Sequence, residues 1–98
     1  TLENVVFSHL KQLGYHVSVG VMKEYEIDFV ANKGSNIIYV QVAYLITDEK
    51  VKQREFGNLI LIPDNYPKYV VSLDSVAIAS FKGVIHLHLR DFLKKEKF

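Results

Sequence analysis

The spacing of apolar residues changes period along the chain, and each change marks an element boundary. Leu2, Val5, Val6, His9, Leu10 and Leu13 recur at i, i+3, i+4 and i+7, which predicts a helix with one face toward a core. Gly14 stands where a left-handed residue would end it. From Tyr15 the period falls to two, so Tyr15, Val17, Val19 and Val21 are expected on one face of a first strand and His16, Ser18 and Gly20 on the other. Alternation resumes with Tyr25, Ile27 and Phe29 opposite Glu26, Asp28 and Val30. It runs into Asn32-Lys33-Gly34-Ser35, a turn cluster that predicts a hairpin with a tight turn at Lys33-Gly34. Asn36 to Tyr44 is nearly all apolar, interrupted only by Gln41, which predicts a central third strand covered by helices on both faces.

Thr47 is the expected N-cap of a second helix, with Asp48 and Glu49 in its first turn beside the positive end of the helix dipole. Val51, Phe56, Leu59 and Ile60 form its apolar stripe, and Pro63 with Asp64-Asn65-Tyr66-Pro67 stops it. Lys68 to Leu73 reads as strand four and Val84 to Leu89 as strand five, after which Asp91 caps a last short helix through Leu93. The order αβββαβ, then βα, predicts an α/β domain with a mixed central sheet flanked by helices. No internal repeat is present.

With 98 residues, 49% of them apolar, the chain is long enough for one core and is expected to form a single domain over 1–98. The absence of Cys excludes a disulfide scaffold, a thiolate zinc site, an iron–sulfur cluster and a cysteine nucleophile. Twelve Lys and Arg against eleven Asp and Glu leave +1 at pH 7, so any attraction to nucleic acid must be local. Glu3 and Lys11 interrupt the early apolar stretch, and no window approaches the ~18 apolar residues of a membrane helix. A soluble, cytoplasmic protein without a signal peptide or membrane partner is the expectation. Thr1 in place of Met, with periodicity beginning at Leu2, reads as a piece cut from a longer chain at a domain boundary; a mature protein lacking only its initiator Met is the alternative.

Gly34, Gly57 and Gly83 are isolated and none precedes a Lys-Ser or Lys-Thr pair, so nucleotide hydrolysis is not expected here. Ser72 and Ser80 lack the flanking glycines of a nucleophile elbow. His86 and His88 share a face of strand five, but zinc needs further ligands, and the plainer reading is the wetter face of that strand. His9 and His16 stand alone. Asp28 and Gln41 are more informative, because each interrupts a run that otherwise reads as interior. A buried polar group left unpaired costs ~1–3 kcal/mol, so each is expected to have a partner. In a hairpin they fall near one another, with Glu3 of the overlying helix at the rim. The group reads either as a carboxylate pocket or as a structural acid beside a solvated glutamate.

Glu3-Asn4, Gly14-Tyr15, Tyr25-Glu26-Ile27-Asp28-Phe29-Val30, Ile38-Tyr39-Val40-Gln41-Val42-Ala43-Tyr44, Arg54-Glu55-Phe56 and Asp64-Asn65-Tyr66-Pro67-Lys68-Tyr69 together span Leu2 to Asp74. With the αβββαβ order they resemble the PD-(D/E)XK nuclease superfamily, the restriction-endonuclease-like fold. More narrowly, they resemble the C-terminal domain of unknown function that follows the ATPase module in many prokaryotic AAA-type ATPases. Active members of the superfamily place an Asp on strand two and a Glu-x-Lys on strand three, often with a Glu from helix one. The carboxylates hold Mg²⁺, and the Lys positions or activates the attacking water. Asp28 matches the Asp and Glu3 the helical Glu, which makes these two the implied metal ligands. Gln41 stands in place of the strand-three Glu and Ala43 in place of the Lys. Lys23 or Lys50 would have to supply a migrated cation.

The resemblance therefore implies a degenerate, non-catalytic module that recognises DNA or a protein, or regulates its own N-terminal ATPase module. It needs no cofactor itself, and ATP would bind only in the upstream part. The competing expectations are a weak Mg²⁺-dependent nuclease and a purely structural interaction domain.

Overall fold

A computed structural model describes residues 1–22, 25–74 and 80–98. The elements, in chain order, are α1 (Leu2–Gln12), β1 (His16–Met22), β2 (Tyr25–Lys33), β3 (Asn36–Val42), α2 (Glu49–Ile60), β4 (Lys68–Ser72), β5 (Ser80–Phe81), β6 (Val84–His88) and α3 (Leu89–Lys94). The expected αβββαβ order is present. The strands form one mixed six-stranded sheet in the order β1-β2-β3-β4-β6-β5. β1, β2 and β3 are antiparallel neighbours, β4 runs parallel to both β3 and β6, and β5 is antiparallel to β6. Among the described residues no helix is long and apolar enough to cross a membrane.

The two-sided apolar character of β3 has a direct structural counterpart. Ile38, Val40 and Val42 pack with Leu2, Val6 and Leu10 of α1, whereas Tyr39 and the following Ala43 pack with Phe56 and Leu59 of α2. β4 divides in the same way, Tyr69 and Val71 to the α1 side and Val70 to the α2 side. Burying Phe56 and Leu59 completely contributes roughly 1.5–3 kcal/mol each. That burial matters for α2, because an isolated helix of this length is marginal in water.

Several local expectations are corrected. α2 is capped by Asp48, whose side chain accepts from Val51 N at 2.9 Å, one residue later than Thr47. α3 is capped by His88, whose Nδ1 accepts from Arg90 N at 3.0 Å, so Asp91 lies inside the first turn. β5 was not expected, because two residues are too few to show a period; its hairpin with β6 turns through Lys82-Gly83. The turn between β2 and β3 is Gly34-Ser35, with Gly34 at a φ of +63°, a conformation that glycine adopts without steric cost.

The largest departure is a bulge. β1 and β2 pair Ser18 with Val30 and Gly20 with Ile27, so Asp28 and Phe29 together face the single residue Val19. One extra residue reverses the phase of β2. Ile27 therefore packs on the α2 side and Phe29 against the α1 side, although simple alternation puts them on one face. Val19 turns outward, 64% exposed, while Gly20 is buried. A Cβ at Gly20 would lie 2.6 Å from Val30 Cγ2, so only glycine lets β1 cross the bulge this closely.

Candidate functional site

The β2–β3 ladder ends at the pair Phe29 and Val40, and beyond it the strands are joined by side chains. Gln41 Oε1 accepts from Asp28 N at 3.1 Å, and Asp28 Oδ2 accepts from Val42 N at 2.8 Å. The bulge removes the regular backbone partner at this point, and the two polar residues that interrupt the apolar runs replace it. Asp28 and Gln41 are thus brought together, each half-buried.

Glu3 sits at the rim of this clasp, exposed on the first turn of α1. Its Oε1 is 3.5 Å from the Tyr44 hydroxyl, which donates to it and accepts from Leu2 N at 3.4 Å. Burial pushes the Asp28 carboxyl above the usual aspartate range. The Val42 N–H opposes this, and the negative charges of Glu55, Glu3 and Glu26 add to it. Ala43 is buried in the α2-side core, its N–H donating to Val71 O at 3.0 Å. Lys50 is exposed on α2, and Lys23 lies outside the described residues.

The direction of the Asp28 shift fixes its effect on stability. Between the unfolded and the raised folded value the native state binds more protons, so stability falls as pH rises through that window and the loss persists at neutral pH. Asp28→Asn retains an acceptor for Val42 N without the charge and is expected at pH 7 to match or slightly exceed the parent in stability. Asp28→Ala removes the acceptor and is expected to cost ~1–3 kcal/mol. Urea midpoints at pH 7 test the pair; equal losses for both would show that the bond to Val42 N contributes nothing.

The histidines take structural positions. His86 is buried, with Nε2 hydrogen-bonded to Ser72 Oγ at 2.6 Å, which corrects its expected place on a wetter face. His88 caps α3, and the His9 ring Nε2–H donates to Lys95 O at 3.1 Å while packing edge-on to Phe92. His16 is exposed at the start of β1.

A polar network that the sequence reading missed joins the start of β4 to β3. Lys68, nearly buried, donates to Asp64 Oδ1 at 2.9 Å and to the carbonyls of Asp64 and Tyr66 at 2.8 Å, while the Tyr39 hydroxyl donates to Asp64 Oδ2 at 2.6 Å. The signal was available: a lysine opens an otherwise apolar strand, with an aspartate four residues before it.

Among the described residues no group of three or more His, Asp or Glu converges to hold a metal ion. The residues implied as a Mg²⁺ site do not fit that ion as arranged. Asp28 Oδ2 and Gln41 Oε1 are committed to backbone N–H groups, Ala43 offers no donor atom, and Glu3 reaches only the rim.

Fold and site define an α/β domain whose sheet is closed at a bulge by an Asp–Gln clasp. No family model matches the chain. Over 92 residues, 94% of its length, it is 38% identical to a protein of Haemophilus influenzae described as an uncharacterized protein. The chain spans 22% of the length of that relative.

Proposed function

We propose that this chain is a degenerate PD-(D/E)XK-fold module of a AAA-type ATPase, acting without catalysis to recognise a nucleic-acid or protein partner or to regulate its own ATPase module in the cytoplasm. ATP is bound by the ATPase part, not by this module. The observation that carries the reading is the clasp itself. The two side chains at metal-ligand positions hold strand to strand, and the position of the expected lysine is filled by a buried methyl group. The length of the matched relative supports a module within a larger protein.

The negative charges of Glu55, Glu3 and Glu26 felt at Asp28 favour a second reading, a weak metal-dependent nuclease, because negative potential attracts divalent cations even though these carboxylates do not converge as a ligand set. The two differ in outcome. With Mg²⁺ or Mn²⁺ the chain is expected to leave single-stranded, duplex and branched DNA intact in a gel assay. Metal-dependent cleavage abolished by Asp28→Asn would establish the nuclease instead.

A further inference from the structure

Resting on the reading that the chain recognises a partner without cutting it, we propose that the trench between α1, the β2–β3 turn and the C-terminal residues binds the phosphate backbone of single-stranded nucleic acid. Lys33, Lys94 and Lys95 line a concavity of about 600 Å³ with His9, Gln12 and Glu96. Lys33 and Glu96 also line an adjoining one of about 510 Å³, to which Lys97 and Asn36 contribute. Four lysines therefore line two concavities that share Lys33 and Glu96, and Glu96 is the one acidic side chain among their lining residues, in a chain whose net charge is only +1.

The lysine-rich segment from Lys94 to Lys97 is held in place. The Phe98 ring packs 5.2 Å from that of Phe92, 5.4 Å from Tyr69 and 6.1 Å from Tyr15, centroid to centroid. Lys95 O accepts from the His9 ring. Lys94 ends α3, and Lys95 to Lys97 are held between that helix and the packed Phe98 ring, so binding would not have to order them. Lys33 is set by one bond, donating to Leu13 O at 2.8 Å.

The chemistry of the trench selects the occupant. Gln12 and Asn36 add neutral amide donors of the kind that phosphate oxygens accept. The rest of the lining is mixed, with Leu13, Leu93, Tyr15 and Phe98 among the polar groups, and such apolar and aromatic surface suits the sugars and bases of an unpaired strand while the lysines meet its phosphates. The carboxylates around Asp28 do not oppose this. Five residues along β2 separate Asp28 from Lys33, about 16 Å, against a screening length of about 8 Å at physiological salt.

Fluorescence anisotropy of a labelled oligo-dT strand tests the proposal. Neutralising four phosphates predicts a slope of log K on log salt of about −3, and a loss of about 50-fold between about 50 and 200 mM salt. The triple variant Lys94→Gln, Lys95→Gln, Lys97→Gln, with an unchanged melting curve, is expected to bind at least about tenfold more weakly at the low-salt end and to flatten the slope toward about −0.7. Glu96→Gln is expected to strengthen binding, and Lys50→Gln on α2 to leave it unchanged. Absence of binding, binding indifferent to salt, or a triple variant that binds like the parent would overturn the proposal. Tighter binding of polyglutamate or of duplex would overturn it in favour of those partners. Cleavage of the strand with salt-dependent binding intact would overturn the non-catalytic reading while supporting the trench; no binding and no cleavage would overturn the trench alone.

Discussion

Ala43→Lys is expected to lower stability by about 2–4 kcal/mol, because it drives a long cationic side chain into a packed core. Ala43 is only 7% exposed and shares the α2-side cluster with Phe56 and Leu59, so the ammonium has no free route to water. Gln41→Glu keeps an acceptor for Asp28 N but sets a second charge beside a carboxylate whose ionisation is already disfavoured. The double variant should therefore be less stable than the parent without metal. If the geometry of a nuclease site is latent, Mn²⁺ should bind the double variant and restore part of the loss, about 2.7 kcal/mol at a concentration one hundred times its dissociation constant. Thermal melts with and without Mn²⁺ decide the matter. Stability unchanged by Ala43→Lys would show that Ala43 is not enclosed, and a double variant indifferent to Mn²⁺ would limit the resemblance to one of fold.

Lys68→Met is expected to cost about 2–3 kcal/mol, read from urea midpoints. Removing one partner of a buried ion pair leaves the other uncompensated, and the figure lies below that for a fully buried pair because Asp64 is 31% exposed. Tyr39→Phe removes one charge-assisted bond and should cost less, about 1.5 kcal/mol. Burial alone would raise the Asp64 carboxyl, but the Tyr39 hydroxyl, Lys68 and the Tyr66 N–H together hold it below the usual aspartate range. The stability this contributes is present above the unfolded value and lost as pH falls through the folded one. Burial, the bond to Asp64 and its charge push the Tyr39 phenol up to about 12. That contribution is present below the unfolded value near 10 and lost as pH rises through about 12. An ultraviolet titration should show a tyrosine ionising near 12 that Tyr39→Phe removes. A Lys68→Met midpoint equal to that of the parent would show that the network contributes nothing to stability.

Much of this molecule is readable from local pattern. The first helix, the two-sided central strand and the hairpin depend on hydrophobic period and on residues such as Gly14 and Gly34, properties carried by neighbours in sequence. Asp28 and Gln41 were identifiable as partners because polar residues in apolar runs require one. Their partnership takes the form it does only because of the bulge, which period-two reasoning cannot place: one extra residue on β2 leaves composition and alternation almost unchanged yet puts Ile27 and Phe29 on opposite faces. The caps at Asp48, one residue after Thr47, and at His88, three before Asp91, were likewise decided by which nearby polar residue the packed helix presents to its own N–H groups. Lys68, Asp64 and Tyr39 lie on segments that meet only when β3 and β4 pair in parallel, so their shared network depends on register. The same holds for the lysine trench. Lys33 is more than sixty residues from Lys94 in the chain, and a net charge of +1 gives no sign of a local group of lysines. The sequence by itself determined which segments become helix or strand, since that follows from period and local sterics. The tertiary structure decided which polar groups meet and whether each is bonded or exposed, since that follows from long-range register and enclosure.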